Sequence, residues 1–121
     1  MNIDWSKLVT KAMKDAVLAA EALALAKAEL AARNSAAVSQ IARIQDRVDT
    51  IGFGIEVGEA TDEDVAEQAS LLINLKGWKV YKFALGKVTV QATWYQAPVW
   101  PAEPPIPEIV ADPVFSSDET I

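Results

Sequence analysis

Residues 37–51 read Ala37-Val38-Ser39-Gln40-Ile41-Ala42-Arg43-Ile44-Gln45-Asp46-Arg47-Val48-Asp49-Thr50-Ile51. Ala37, Ile41, Ile44, Val48 and Ile51 alternate steps of four and three, the spacing at which a helix lines up one apolar stripe for packing. Asp46 and Asp49 stand among Arg43 and Arg47 between those positions, which is the pattern of a solvated, ion-paired face rather than of an acid/base pair.

Toward the N-terminus neither proline nor glycine occurs between Trp5 and Ile51, and strong helix formers dominate. One long helix, or two collinear ones, is expected, with Asn2 or Asp4 as its cap. Leu30 and Leu23 keep the seven-residue phase of the stripe, but Lys27 and Asn34 occupy the other seam positions. Residues 1–36 therefore read as an alanine-rich helix only weakly committed to a partner, with Arg33-Asn34-Ser35 as the expected bend.

Toward the C-terminus, Gly52, Gly54 and Gly58 fall within seven residues, so 52–58 is expected to be a connecting loop. Its spacing is not that of a phosphate-binding loop. Thr61 followed by Asp62, Glu63 and Asp64 marks a new helix start: a capping hydroxyl with acids facing the positive end of the helix dipole. The same acids as a metal or acid/base site are the weaker reading. Val65, Ala69, Leu72 and Leu75 form an apolar face, joined by a neighbouring stripe of Leu71, Trp78 and Leu85, and Gly77 weakens the middle of the helix. Residues 37–88 are thus expected to make an antiparallel helical hairpin.

Residues 89–121 have another character. Thr89, Val90 and Thr93 favour extended chain, and six prolines fall between Pro98 and Pro113, which excludes helix. Residues 116–120 are polar enough to remain disordered in isolation. The fold class is accordingly mainly α: a long N-terminal helix, an antiparallel hairpin with a second helix, and an extended C-terminal segment rich in proline and aromatic residues.

Composition narrows the function. A chain of 121 residues supports one modest core. It has no cysteine and no histidine, which removes thiolate chemistry and the commonest general base and zinc ligand. No serine has a lysine three residues later, so a nucleophilic serine lacks its usual activators. All 11 basic residues lie before position 88, and the remainder carries five acids and no base. The net charge of −6 argues against binding a phosphate backbone. Charges interrupt the most apolar run, residues 16–32, short of a membrane span, and the N-terminus lacks a signal-peptide layout. No enzyme activity, cofactor, metal, nucleic acid or membrane partner is expected, and the protein reads as soluble and cytoplasmic.

The informative cluster is aromatic: Trp78, Tyr81, Phe83, Trp94, Tyr95 and Trp100 fall within 23 residues, interleaved with prolines. Trp78 and Phe83 are expected in the core. For Trp94, Tyr95 and Trp100, core packing and interface anchoring stand as equal alternatives.

The order Ile44-Gln45-Asp46-Arg47-Val48-Asp49, Glu59-Ala60-Thr61-Asp62-Glu63-Asp64, Trp78-Lys79-Val80-Tyr81-Lys82 through Leu85 and Val88, and Trp100-Pro101 with Pro104 resembles the C-terminal region of tail fibre assembly proteins of tailed bacteriophages and phage-tail-like bacteriocins. The opening Met1-Asn2-Ile3-Asp4-Trp5-Ser6 before an alanine-rich helix is similar to members of that family. The glycine loop, the stretch around 66–73 and the residues after Pro104 lengthen the usual pattern. The resemblance implies a chaperone that engages the C-terminal, receptor-binding end of a tail fibre and promotes its folding and trimerisation, working in the cytoplasm of the bacterial host or staying on the virion fibre. On the strength of the aromatic cluster, Trp78, Tyr81 and Lys82 are expected to shape the partner-binding surface and Trp94, Tyr95 and Trp100, with Pro101 and Pro104, to grip the fibre tip. The alternative expectation is a structural coiled-coil adaptor of a phage-like particle, a homo-oligomer built through the N-terminal helix.

Overall fold

The computed structural model describes residues 5–111, with side chains from Thr10 onward. The expected caps Asn2 and Asp4 and the polar stretch 116–120 lie outside the described residues. Helix α1 spans Trp5–Glu56, helix α2 spans Asp62–Leu85, and a 3-10 turn covers Val88–Val90. No strand occurs among the described residues, and no described helix is long and apolar enough to cross a membrane.

The helices pack against each other in opposite directions. Arg33 meets Tyr81, Asn34 meets Lys82, Arg47 meets Glu67, and the Gln68 amide donates to the Val48 carbonyl. The 52 residues of α1 reach about 78 Å at 1.5 Å per residue, against about 36 Å for the 24 of α2. Since the chain doubles back near residue 58, α2 covers only the second half of α1.

Two expected breaks in α1 are corrected. It runs unbroken through Arg33-Asn34-Ser35, because Asn34 and Arg33 find partners on α2 instead of disturbing the backbone. It also continues through Gly52 and Gly54 to Glu56, so the loop lies at 57–61 rather than 52–58. Of the three glycines only Gly58 adopts a left-handed conformation, φ +78°. There the Gly58 N–H reaches the Ile55 carbonyl at 3.2 Å and the Glu59 N–H reaches the Gly54 carbonyl at 2.8 Å, satisfying the last carbonyls of the helix. Gly52 and Gly54 stay helical where the α2 side comes close: a Cβ at Gly54 would stand 3.6 Å from the Ala60 Cβ, and one at Gly52 3.5 Å from the Gln68 amide nitrogen.

The start of α2 follows the sequence. The Thr61 hydroxyl accepts from the Asp64 N–H at 3.1 Å while the Asp64 carboxylate accepts from the Thr61 N–H at 2.9 Å, a reciprocal cap. That backbone N–H, then the hydroxyl and Arg47, hold the Asp64 carboxyl below its ordinary value. Arg47 grips Glu67 with two hydrogen bonds of 2.8 and 2.9 Å, which raises the guanidinium pKa.

The core joins Ala37, Ile44, Val48 and Ile51 of α1 to Leu71, Leu75, Trp78, Tyr81 and Leu85 of α2, closed by Val88 and Ile109. On α2 the stripe of Leu71, Trp78 and Leu85 is the buried one, while Val65 and Leu72 are 46% and 47% exposed. Trp78 sets that rotation: it is fully buried and meets Tyr81 edge-on at 5.5 Å, and burying the two rings removes more apolar area than burying Leu72 and Val65. Phe83, expected in the core, is 68% exposed; it lies two residues past Tyr81, on the outer face of α2, under the Lys87 ammonium at 4.7 Å. Thr89 and Val90, expected to be extended, lie in or at the 3-10 turn, which tucks Val88 under the end of the hairpin.

Candidate functional site

Prolines cannot donate hydrogen bonds, so a proline-rich segment carries carbonyls that need donors from elsewhere. Both helices supply them. The Trp78 indole donates to the Pro105 carbonyl at 3.2 Å, the Asn74 amide donates to the same oxygen at 3.0 Å, and Arg43 donates to the Pro107 carbonyl at 2.6 Å. The rings of Pro104 lie within ordinary contact of Gly77, 3.8 Å from where a Cβ would stand. Gln91 clamps the preceding loop by bonding both the N–H and the carbonyl of Val99, each at 2.8 Å.

This arrangement separates the eight residues expected to bind a partner. Trp78 and Tyr81 are 0% and 2% exposed, so they hold the hairpin together and offer no surface. Lys82 is half-buried and donates to Asn34 at 3.2 Å. Trp94, Tyr95, Trp100, Pro101 and Pro104 are each partly exposed. Trp94 and Trp100 pack on the core and meet edge-on, with centroids 6.4 Å apart. Trp94 and Trp100 thus have one side on the core and one toward solvent, and Tyr95 is half-buried.

The open side matters most at Tyr95 and Trp100. Together with Pro98 and Gln96 they form one wall of a groove of about 330 Å³, whose other wall is Ala22, Leu25, Ala26 and Glu29 of α1. Because α1 outruns α2, the loop after the 3-10 turn rests on α1 itself and closes this groove. Arg33 braces it. Its guanidinium lies 4.9 Å from the Trp100 centroid, bonds the Glu29 carboxylate at 2.9 Å and reaches the Tyr81 hydroxyl at 3.4 Å. Tyr81, then Glu29, raise the Arg33 pKa, so the charge is fixed there.

Chemically the groove is apolar with one carboxylate and one amide at its edge, a shape that takes a hydrophobic or aromatic side chain rather than a reacting group. Sequence reasoning missed its α1 wall. The only signal was Leu25, a leucine off the seam of an alanine-rich helix, and it is 72% exposed. No family model, curated protein or solved structure matches the chain.

Proposed function

We propose that the protein works by contact rather than catalysis, as an assembly chaperone for a phage tail fibre, with the groove between α1 and the aromatic loop as its docking surface. The resemblance of residues 44–49, 59–64, 78–88 and 100–104 to tail fibre assembly proteins supplies the partner. The observation that carries the docking surface is the open apolar groove in which Tyr95 and Trp100 face Leu25. Separated fibre chains expose strand edges and apolar faces during slow, non-local pairing. A preformed apolar groove on a braced helix shields such a segment at little ordering cost.

Co-expression with a tail fibre protein, taken from the neighbouring gene where one encodes it, should give a soluble complex and a trimeric fibre. A fibre equally soluble and trimeric when made alone defeats the proposal. Tyr95→Ala and Leu25→Glu, which leave the core untouched, should each weaken the complex by about 2 kcal/mol, read by calorimetric titration. Unchanged affinity in both would remove the groove from the interface.

A further inference from the structure

The proline segment that straps the hairpin has a period. Pro98, Pro101, Pro104 and Pro107 are each half-buried, and of the residues between them all but Trp100 are exposed. Among the described residues, 100–108 make no backbone–backbone hydrogen bond. Every third residue turned inward, with no internal bonds, is the pattern of a polyproline II helix lying with one edge on the hairpin.

The hairpin holds this strap by its carbonyls and rings. The Trp78 indole and the Asn74 amide both donate to the Pro105 carbonyl, and Pro104 packs on Gly77, where no side chain stands in the way. A proline-rich segment brings rings and carbonyls but no N–H at its prolines, so the surface that suits it is aromatic, with free donors and few free acceptors.

The groove beside α1 repeats that chemistry. Three of its side chains carry donors, the Trp100 indole, the Gln96 amide and the Tyr95 hydroxyl, and none of them makes a hydrogen bond among the described residues. All three remain open to solvent. The one carboxylate, Glu29, is already taken by Arg33. From Ala22 to Glu29 helix α1 rises about 10 Å, close to the ~9 Å of one three-residue polyproline turn. Pro98 and Trp100, at the head of the strap, stand in the groove wall, so the groove prolongs the strap's own track. We propose that it takes an extended, proline-rich segment of the partner protein, held by Trp100, Gln96 and Tyr95 as Trp78 and Asn74 hold the chain's own. The inference rests on the groove being the docking surface and names the segment that enters it.

Titration of the full chain with a polyproline peptide of about ten residues, followed by proton–nitrogen correlation spectra, tests it. By about 1 mM peptide the Trp100 indole resonance should move and the Trp78 indole should stay. Gln96→Ala and Tyr95→Phe, which leave the core untouched, should each lower the affinity about three- to tenfold, and Leu25→Glu should abolish binding. The same peptide with leucine in place of alternate prolines should bind about tenfold more weakly. An unmoved Trp100 indole overturns the inference, and so does a moving Trp78 indole, because the peptide would then be replacing the strap. Equal affinity for the leucine peptide overturns it as well, in favour of any apolar segment. The fibre complex reports separately. If it weakens with Leu25→Glu while polyproline goes unbound, the docking surface stands and its proline-rich occupant falls; if polyproline binds while the complex ignores Leu25→Glu, the occupant's chemistry stands and the fibre falls.

Discussion

The two halves of α1 are one helix in one phase, yet they behave as different materials. Between Ala37 and Ile51 the stripe residues are isoleucine and valine, they face Leu71, Leu75, Trp78 and Leu85, and they are buried. Between residues 10 and 21 the stripe is mostly alanine, nothing among the described residues covers it, and every side chain is exposed. Helix propensity is if anything better in the alanine-rich half, so propensity does not make the difference. Buried area does: a methyl group offers a partner little to hold, whereas each large side chain sealed against Trp78 contributes ~1.5–3 kcal/mol.

The largest break in that comparison comes from Trp78→Ala. It should cost the hairpin ~3–5 kcal/mol in urea unfolding and free the Pro105 carbonyl from one of its two donors, whereas Met13→Ala, at a 64% exposed position, should leave unfolding unchanged. Gly58→Val puts a β-branched residue at φ +78° and should cost about 1–3 kcal/mol, while Gly52→Ala, at a helical site with only ordinary contact, should be neutral or stabilising. A loss from Gly52→Ala as large as that from Gly58→Val would restore the loop to residue 52.

Smaller effects sharpen the picture. Gly77→Ala should raise stability by up to about 1 kcal/mol, since the new methyl meets Pro104 at ordinary contact distance; a loss in thermal unfolding would show that the proline segment sits closer to α2. The weakest expected effect is acid sensitivity at the start of α2. The Asp64 carboxyl is depressed in the folded chain, chiefly by the Thr61 N–H, so its stabilisation is complete above the ordinary value of 3.8 and is lost as pH falls through its lower folded value. The melting temperature of Asp64→Asn, followed over that range, should lack this component, and an identical acid profile in both proteins would contradict the reciprocal cap.

Local signals survived folding where the governing interaction was itself local. The cap at Thr61 needs only residues 61–64, and the helical nature of 5–51 needs only the absence of proline and glycine with the right spacing. The glycine-rich stretch misled because three glycines look alike in sequence, while only the one whose backbone must turn left-handed ends the helix. Phe83 and Leu72 misled for a related reason. Hydrophobicity marks a residue as buriable, but the rotation of α2 about its axis follows the largest rings, Trp78 and Tyr81.

The sequence by itself determined that the chain is helical through its first half, restarts at Thr61, abandons helix in the proline-rich stretch and carries no thiol or imidazole. These follow from properties that each residue or short window possesses alone. Only the tertiary structure decided which aromatic rings lock the hairpin and which line the groove. It also decided that Leu25 and Glu29 face Tyr95 and Trp100 across some 70 residues of chain. Such contacts depend on how far α1 outruns α2, a difference in length that no local pattern encodes.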